Sequence, residues 1–388
     1  MSLENWDDIW RRNQFLCAAY ARRFPQNKIL FVGLPRDVSH QLRRGTLRQL
    51  RDEATWTVAD IPNITITRPL KLFPNRLSGG RILNEAISRA HIRREARRLG
   101  LDRPILWLNP HDAVHMAGRM NERAVIYDIT DDWISPTQSA ATSRRIAAQD
   151  AALCSRADAV IVCSQRLFDM KRGVARNLHL IPNGVDASHY ERILDGAGPL
   201  CAEAAEWPRP VLGYTGTLHA ERVDVGLIEA LAARMQKGCL VLIGPNFLPA
   251  EVSARWRAMP NVFLLGPKPY QQLPELMRAF DVCITPHKVT IFTESLNPIK
   301  LWEYLAAGKP IVSTAVAGFR DYPQFVQIAD GADGFLAAAQ GALCEPPGIA
   351  QARREEARRH SWEARLDEVT AVLASCTNQT VKGTGDGL

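Results

Sequence analysis

Two charged residues, Lys300 and Glu303, stand three positions apart in the segment NPIKLWEYLAAGKPIVSTAVAG, residues 297–318. Side chains at this spacing lie on roughly one face of a helix, and Pro298 predicts that a helix begins here. The start of a helix offers unpaired backbone N–H groups and the positive end of its dipole, and both favour an anion. The pattern predicts that residues 297–300 bind a diphosphate while Glu303 accepts hydrogen bonds from sugar hydroxyls.

The same segment also has an explanation without a ligand. A proline at the start of a helix and Gly308 at its end are ordinary helix boundaries. Leu301, Tyr304 and Leu305 recur at the spacing of an ordinary core stripe. From the residues alone, both interpretations stay open.

The elements that must position these residues follow from length and composition. The chain has 388 residues, of which 46% are hydrophobic and 23% charged, which predicts a globular protein of two domains. No apolar run approaches the roughly 20 residues of a membrane-spanning helix, and the first residues lack a signal-peptide pattern, so we expect a cytoplasmic location. The eight cysteines are dispersed without metal-ligand spacing, which predicts reduced thiols and no metal site.

Short apolar runs alternate with amphipathic stretches in both halves of the chain. Such runs, rich in β-branched residues and separated by helical patterns, predict parallel sheets buried on both faces. The predicted strands are KILFVG, ITI, ILWL, AVIYD, AVIVC and HLI in the first half and VLGY, CLVLIG, VFLLG, VCIT, PIVS and VQIA in the second. We therefore expect an α/β protein with two doubly wound domains, whose ligands bind beyond the carboxyl ends of the strands.

The helix at residues 298–307 resembles the donor-site helix of GT-B glycosyltransferases of family 4, in which a glutamate precedes small residues and a Gly-x-Pro turn. These positions are Glu303, Ala306, Ala307, Gly308 and Pro310. The segments WDDIWRRNQ, YDITDDW, IPNGVD, GYTGTL and HSWEAR extend the resemblance to a branch of bacterial polysaccharide glycosyltransferases. It implies the GT-B fold, in which two Rossmann-like domains face each other across a cleft.

The resemblance also implies which ligand each domain binds. Residues 1–190 would bind the acceptor, residues 191–360 would bind a nucleotide-sugar donor, and residues 361–388 would form a helix that returns to the first domain, followed by a disordered tail. The residues expected at the donor site are Gly216, Thr217, Arg222, Gly266, Lys268, Tyr270, Glu294, Asn297, Pro298, Ile299, Lys300 and Glu303.

The donor site departs from the family pattern at two places. The family usually has an arginine where Thr217 stands and a lysine where Arg222 stands, so Lys300 is expected to supply the missing charge. It also commonly has a second glutamate eight residues before Glu303. Ser295 occupies that position, so Glu294 or Asn297 is expected to contact the transferred sugar instead.

Candidate acceptor residues follow two predicted strands of the first half. YDITDDW places Asp128, Asp131 and Asp132 at the carboxyl end of a strand, where one of them could orient or deprotonate a hydroxyl. The alternative is that Asp131 or Asp132 caps a helix or satisfies a turn. His111, His115 and Arg36 are further candidates for the acceptor side.

The distribution of charge and the motifs missing from the sequence limit the classes of partner that the protein is expected to bind. The net charge of +7 is concentrated in arginines of the first half, in the groups Arg36, Arg43, Arg44, Arg48, Arg51 and Arg89, Arg93, Arg94, Arg97, Arg98. The second group shares a helix face that would attract an anionic membrane carrying a lipid-linked acceptor; the alternative is a solvated face. Nucleic acid is not expected as a partner because RNA-binding, zinc-finger and basic-zipper signatures are missing from the sequence. An oxidoreductase is disfavoured because GxGxxG is missing as well.

These observations predict a glycosyltransferase that moves a sugar from a nucleoside-diphosphate sugar, expected to be a UDP-sugar, to a hydroxyl of a glycan or lipid-linked acceptor. Arg222 and Lys300 would stabilise the leaving diphosphate without a metal or a separate cofactor. The family resemblance implies retention of the anomeric configuration. A GT-B sugar-nucleotide epimerase and a transferase acting on a small-molecule acceptor are the alternatives.

Overall fold

The computed structural model describes residues 1–44, 54–74, 79–133, 138–191, 200, 202–346 and 348–382. Its internal contacts divide the chain into two units, Met1–Ile181 with Leu366–Leu388, and Pro182–Arg365. The sequence placed these boundaries near residues 190 and 360. The helix Ala187–Glu191, of which all but the last residue falls in the predicted first domain, packs within the second unit.

The described residues of the first unit form nine strands, most of them short. Strands β7 and β8 are buried along their whole length, as expected for the centre of a parallel sheet. The strands are β1 Ile29–Val32, β2 Arg36–Asp37, β3 Thr55–Val58, β4 Ile61–Thr67, β5 Leu70–Lys71, β6 Ile105–Leu108, β7 Ala124–Ile129, β8 Ala159–Val162 and β9 Leu178–Leu180.

Five α-helices and one short 3-10 helix, His111–His115, complete the part of the first unit that precedes Pro182 among the described residues. Two of them begin at serine N-caps, where Ser139 accepts from the Thr142 N–H and Ser164 from the Leu167 N–H. The helices are α1 Arg12–Arg23, α2 Val38–Arg44, α3 Gly80–Arg98, α4 Ala140–Arg156 and α5 Gln165–Lys171.

The strands of the first unit form two larger sheets, with orders β1-β4-β3 and β6-β7-β8-β9, and β2 pairs with β5. All pairs are parallel except β3 with β4. The six strands predicted in this half are present. The antiparallel strand β3 was not predicted, because its four residues TWTV are only half-buried and give no long apolar run.

The second unit is built on one six-stranded parallel sheet, and all six of its strands were predicted from the sequence. Its strands are β10 Val211–Thr215, β11 Cys239–Ile243, β12 Val262–Gly266, β13 Val282–Thr285, β14 Ile311–Ser313 and β15 Val326–Ile328. Its helices are α6 Ala187–Glu191, α7 Ala202–Ala205, α8 Val225–Arg234, α9 Ala250–Ala258, α10 Leu273–Arg278, α11 Ile299–Ala306, α12 Gly331–Ala342 and α13 Ile349–Arg359. The final helix, α14, spans Trp362–Lys382, and its residues from Leu366 on belong to the first unit.

The strand order of the second unit, β12-β11-β10-β13-β14-β15, determines where its ligand site can lie. The chain runs outward from β10 to β12 and then returns to the other side of β10 with β13. The order therefore reverses between β10 and β13, and parallel sheets bind ligands in the crevice at such a switch point. The loops that follow these two strands begin at Gly216 and Pro286.

The cysteines agree with the prediction of reduced thiols: the seven described ones are free, and burial raises the pKa of Cys163, Cys239 and Cys283 to about 12. Among the described residues, no helix combines the length and apolar character that a membrane crossing requires.

Candidate functional site

The two loops at the switch point are joined by backbone hydrogen bonds. The Lys288 N–H donates to the Arg222 carbonyl at 2.7 Å, and the Asp224 N–H donates to the Pro286 carbonyl at 2.9 Å. These bonds place the segment after β10, which carries Gly216, Thr217 and Arg222, beside the segment after β13. Helix α11 follows the second segment directly, so Lys300 and Glu303 are brought to the same edge of the sheet.

Lys300 is held at this edge by Tyr214, a buried residue of β10. The Lys300 Nζ donates to the Tyr214 hydroxyl at 2.9 Å and lies 4.5 Å from the centre of its ring. Although the residue is only half-buried, its ammonium is enclosed by protein atoms. This burial, together with the nearby positive charge of Arg222, lowers the pKa of Lys300 to about 7, and Glu303 opposes the shift.

Gly216 makes room for the Lys300 ammonium. A Cβ atom at Gly216 would lie 2.7 Å from the Lys300 Nζ, and the residue has a φ of 139°, which other residues rarely adopt. The Gly216 N–H donates to the Ile243 carbonyl, and the Gly244 N–H donates to the Gly266 carbonyl. Glycines therefore connect the carboxyl ends of β10, β11 and β12, and Gly216 and Gly266 lie at this edge of the sheet.

A buried histidine supports Tyr214 from the other side. The Tyr214 hydroxyl lies 3.1 Å from the His287 Nε2 and 3.2 Å from the Thr217 carbonyl oxygen. Burial, with Lys300 and Arg222 nearby, lowers the pKa of His287 well below its usual value, so the imidazole is neutral and can accept from the hydroxyl. Sequence reasoning missed both residues, because Tyr214 and His287 are a strand residue and a loop residue 73 positions apart.

Glu303 lies one turn along α11 among aromatic side chains. Burial raises its pKa, whereas the Tyr190 hydroxyl and Lys300 favour its charged form. Tyr190 is fully buried, and its hydroxyl makes no hydrogen bond of regular geometry with a described protein atom, although it interacts with Glu303 electrostatically. The rings of His189 and Tyr270 stack at 4.0 Å beside them. His189 and Tyr190 were not predicted as site residues, since they precede the linker and carry no motif.

Arg222 adds a second cation to this edge. Its guanidinium lies 5.1 Å from the centre of the Phe292 ring, and its charge opposes protonation of both Lys300 and His287. Two cations that repel each other at a partly buried site would both be stabilised by an anion between them. The arrangement thus suits a phosphate or diphosphate group.

The start of α11 differs in detail from the prediction. Pro298 is the N-cap and Ile299 the first helical residue, so Pro298 precedes the helix rather than beginning it. Asn297 is fixed by Asn183: its Oδ1 accepts from the Asn183 N–H at 2.9 Å, and its carbonyl accepts from the Asn183 Nδ2 at 2.6 Å. The Leu301 N–H donates to the Pro298 carbonyl at 3.2 Å, so the amides that this helix end offers to an anion are those of Ile299 and Lys300. Gly308, at φ 65°, follows the helix as predicted.

Two predicted donor residues are engaged in ion pairs. Glu294 accepts two hydrogen bonds from Arg320, at 2.6 and 2.8 Å, and Lys268 pairs with Glu203 at 2.8 Å. Glu294 would have to leave Arg320 to contact a sugar, so its position gives no support to the role predicted for it.

The predicted role of Asp128 at the acceptor site is wrong. Its side chain is fully buried at the end of β7, where its Oδ2 accepts from the Arg12 Nε at 3.2 Å and from the Asn109 Nδ2 at 3.2 Å. Arg12, the first residue of α1, is itself almost completely buried. Asp128 therefore holds α1 and the segment after β6 to the sheet, and it has no access to an acceptor hydroxyl.

Asp131 and Asp132 are half-buried, and Asp131 accepts from the Thr130 hydroxyl at 3.0 Å. The negative charge of Asp131 contributes, after burial, to raising the pKa of Glu4 to about 7. Glu4 thus joins the carboxylates near the end of β7, and sequence reasoning missed it because no motif linked residue 4 to residue 131.

The remaining acceptor candidates have structural partners. The His111 Nδ1 lies 3.1 Å from the Gln149 Oε1, and the His115 Nδ1 lies 2.8 Å from the Asp112 carbonyl oxygen. Arg36 is buried in β2 near His91, where it contributes to lowering the pKa of that histidine. The His111 ring also contacts the Trp133 ring edge-on, with the ring centres 6.2 Å apart, so His111 lies beside the segment that carries Asp131 and Asp132.

Some arginines of α3 hydrogen-bond to backbone carbonyls, and the others have side chains exposed to solvent. Arg89 and Arg93 donate to the carbonyls of His115 and Arg119. Arg94 and Arg98 lie beside the buried Glu95 but keep 72% and 71% of their side chains exposed, and Arg97 is exposed as well. The first arginine group falls partly outside the described residues: Arg48 and Arg51 lie there, as do the side chains of Arg43 and Arg44.

Comparison with known proteins agrees with this geometry. Residues 209–352, which include Tyr214, Arg222, His287, Lys300 and Glu303, match the family Glycosyl transferases group 1. Over 201 residues the chain is 27% identical to a Bacillus subtilis (strain 168) protein, TuaH, whose name is that of a teichuronic acid biosynthesis glycosyltransferase. This match covers 49% of the chain and about half the length of that curated relative.

Solved structures resemble the chain over nearly its whole length. Sucrose-phosphate synthase from Thermosynechococcus elongatus gives a TM-score of 0.69 at 16% identity, covering 94% of this chain and 92% of that one. Anabaena HepE, in complex with UDP and glucose, gives a TM-score of 0.66 at 16% identity, and the match covers 96% of this chain and 98% of that one. Residues 209–352 thus resemble the family Glycosyl transferases group 1, in a chain that has the GT-B fold.

Proposed function

We propose that the protein is a glycosyltransferase that takes a nucleoside-diphosphate sugar as donor and a hydroxyl of a glycan or lipid-linked molecule as acceptor. The observation that carries the proposal is the grouping of Arg222, Lys300 and the start of α11 at the switch point, with Glu303 one turn further along. The cations and helix amides suit the diphosphate, and Glu303 suits the hydroxyls of a ribose.

A uridine nucleotide is the proposed donor. HepE, which shares the fold, has been solved with UDP and with UDP-glucose. In this chain the base would lie near Gly266, Lys268 and Tyr270, beyond the ends of β11 and β12. The Tyr270 side chain is 7% exposed and stacked on His189, which leaves little of it accessible to a ligand. Backbone atoms of this loop would therefore bind the base.

The proposed reaction breaks the bond between the anomeric carbon and the diphosphate oxygen. The acceptor oxygen forms the new bond to that carbon, and its proton passes to the departing phosphate oxygen, which keeps the bonding electrons. Negative charge grows on the diphosphate as the bond breaks, so Lys300 and Arg222 stabilise the transition state more than the bound substrate. These side chains supply the charge in place of a metal ion. Retention of configuration is proposed, since attack occurs on the face from which the diphosphate leaves.

The proposed acceptor is part of a bacterial surface polysaccharide or its lipid-linked precursor. The name of TuaH supports a polysaccharide, and the exposed arginines of α3 support attachment to an anionic membrane that carries the acceptor. We propose that the protein works at the cytoplasmic face of the membrane without crossing it.

A two-step experiment tests the donor half of this proposal. Thermal-shift measurements with UDP, GDP, dTDP and CDP identify the nucleotide that stabilises the protein, and we expect UDP to give the largest shift. The corresponding nucleotide sugars are then incubated with and without acceptor glycans, and the products are analysed by mass spectrometry and by NMR of the anomeric proton. Conversion of the donor to another sugar nucleotide without acceptor would establish an epimerase instead. If none of the four nucleotides shifts the melting temperature, the proposed site is wrong.

A further inference from the structure

Tyr190 carries a hydroxyl group into the interior of the second unit. The residue is fully buried, and its hydroxyl makes no hydrogen bond of regular geometry with a described protein atom. Burial removes a hydroxyl from water, so a buried tyrosine normally has a hydrogen-bond partner, and a phenylalanine of the same shape would avoid this cost. The Tyr190 hydroxyl is therefore expected to act on a neighbouring group.

The neighbouring group is the carboxylate of Glu303. Burial raises the pKa of Glu303, and the Tyr190 hydroxyl and Lys300 oppose this shift. Burial and the charge of Glu303 raise the pKa of the Tyr190 phenol, so the phenol keeps its proton and can donate it. A hydrogen bond to a carboxylate stabilises the charged form. Tyr190 thus supports the acid that the proposed function assigns to the ribose.

The short helix α6, which carries Tyr190, is fixed within the second unit. Ahead of it, the Asn183 N–H donates to the Asn297 Oδ1 at 2.9 Å, which ties the start of α6 to the start of α11. The His189 Nε2 lies 2.9 Å from the Tyr270 carbonyl oxygen. The Tyr190 ring packs edge-on against the rings of these two residues, with centres 5.1 and 6.4 Å away. Helix α6 also packs on α11, so Tyr190 has a fixed place beside that helix.

We propose that Tyr190 is a positioning residue for Glu303, and that the pair makes the donor site selective for ribonucleotides over 2′-deoxyribonucleotides. This inference rests on the proposed function, in which Glu303 binds the ribose. Tyr190 donates to one carboxylate oxygen and leaves the other for the sugar hydroxyls. The carboxylate is thereby held in one orientation, and a nucleotide without the 2′-hydroxyl leaves a buried acceptor unpaired.

Several titratable groups lie on the segments packed against α11. They are Asp186 ahead of α6, Tyr270 after β12, Cys283 on β13, and on α13 Arg353, which pairs with Glu345, and Arg354, which lies against Gly308. Tyr190 and Lys300 are the two groups that favour the charged form of Glu303. Loss of the Tyr190 hydroxyl should therefore raise the pKa of Glu303 while Lys300 stays in place.

The first test is Tyr190→Phe in the full chain, which removes the hydroxyl and keeps the ring. Its melting temperature should not fall, because the packing of the ring is unchanged. Calorimetric titration should show that UDP binds the variant about tenfold more weakly than it binds the unaltered protein. The unaltered protein should bind 2′-deoxy-UDP about tenfold more weakly than UDP, whereas the variant should bind the two nucleotides about equally.

The pH dependence of UDP affinity distinguishes positioning from a purely structural role. In the unaltered protein, affinity should fall as the pH falls through the pKa of Glu303, because the acid loses its charge. Tyr190→Phe should move this fall to higher pH, since the variant lacks a donor that favours the carboxylate. The fall on the alkaline side, which depends on Lys300, should stay where it is. Structural damage alone would lower affinity equally across the pH range.

A double variant and a matched control complete the test. Tyr190→Phe added to Glu303→Gln should change UDP affinity by less than about twofold, because the hydroxyl then has no carboxylate to hold. The control is Tyr322→Phe, since Tyr322 packs edge-on against Trp302 of α11 with ring centres 5.3 Å apart. Its UDP affinity and pH dependence should equal those of the unaltered protein.

Three outcomes would overturn the role of Tyr190. They are a Tyr190→Phe protein that still prefers UDP over 2′-deoxy-UDP as before, an acid fall that does not move, and effects of the two substitutions that simply add. In each case weak UDP binding by Glu303→Gln would still support the proposed ribose site, so the two conclusions are separable. A protein that binds no nucleotide would overturn the proposed function and this inference with it.

Discussion

At the scale of single residues, the site depends on Lys300 being held in a fixed place. The ammonium is bonded to Tyr214, which is in turn supported by His287, and Gly216 leaves the space that it occupies. A lysine in this setting loses little conformational freedom on binding, unlike a surface lysine with a flexible side chain. Its contribution to catalysis should accordingly be large.

Lys300→Ala is expected to lower turnover by a few hundredfold, which corresponds to about 3 kcal/mol of lost transition-state stabilisation. The KM for the donor should change less, because charge on the diphosphate is greatest as the bond breaks. Steady-state kinetics with the nucleotide sugar found by the thermal-shift screen measure both quantities.

The matched control for this variant is Lys237→Ala, which removes an exposed lysine of the same unit. Its kinetics should equal those of the unaltered protein. Near-normal turnover in Lys300→Ala would show that the proposed stabilisation of the leaving group is wrong.

Glu303→Gln should weaken binding of the nucleotide by about tenfold or more, because a hydrogen bond to a charged group is worth about 1.5–3 kcal/mol. The variant keeps the size of the side chain, so folding should be little affected beside Tyr190 and Tyr270. Calorimetric titration with UDP gives the affinity. Glu251→Gln, an exposed position on α9, is the control. Unchanged UDP affinity in Glu303→Gln would show that Glu303 does not bind the ribose.

At the scale of elements, the switch point is assembled by glycines and by the start of α11. Gly216, Gly244 and Gly266 allow three strand ends to approach one another, and Gly318 at φ 85° allows the loop after β14 to pack on Pro298. These backbone conformations are unfavourable for other residues. Sequence can suggest that such glycines matter, but only the packing shows which neighbour each one admits.

Gly216→Ala should therefore damage the site and the fold together. The new methyl group would displace the Lys300 ammonium, and the positive φ adds strain of about 1–3 kcal/mol. We expect a lower melting temperature and loss of the thermal shift with UDP. Gly226→Ala, in the first turn of α8, is the control and should be neutral or slightly stabilising, because an added Cβ would make only an ordinary contact, 3.5 Å from the Asp224 Oδ1. A Gly216→Ala protein that still binds UDP normally would contradict the tight fit around Lys300.

At the scale of the whole molecule, the sequence was sufficient to predict the fold, whereas the role of the donor segment stays a prediction. Continuous apolar runs predicted twelve strands, and Lys300 with Glu303 predicted the edge at which they meet. Asp128 shows what local sequence cannot predict. A carboxylate at the end of a strand has the same neighbours in sequence whether it faces a ligand or pairs with Arg12, 116 residues earlier. Tyr190 and His287 could not be predicted either, because only tertiary packing brings them to Glu303 and Tyr214.

The arginines of α3 give a prediction about the surface of the first unit. Reversing the charge of Arg94, Arg97 and Arg98 should weaken binding to anionic vesicles by at least about a hundredfold, because the loss of each cation alone costs about 1 kcal/mol and the new negative charges are repelled. Arg89 and Arg93 are left unchanged, because they hold backbone carbonyls. Vesicle flotation is the measurement.

The control for the surface prediction reverses three exposed arginines of α4, Arg144, Arg145 and Arg156, which alters net charge equally. The α3 variant should float less than the α4 variant. Equal flotation of the two would mean that only net charge matters, and that α3 is a solvated face.

The enclosure of Lys300 beside Arg222 also has a consequence for the proton balance of the whole protein. With a pKa of about 7, part of the population carries an uncharged amine slightly above neutral pH, yet a diphosphate binds the ammonium form. Uptake of the donor should then draw a proton from solvent, and affinity should fall as pH rises past about 7. Calorimetry in buffers with different ionisation enthalpies would register this uptake directly, as apparent heats that change with the buffer while the true binding enthalpy stays constant.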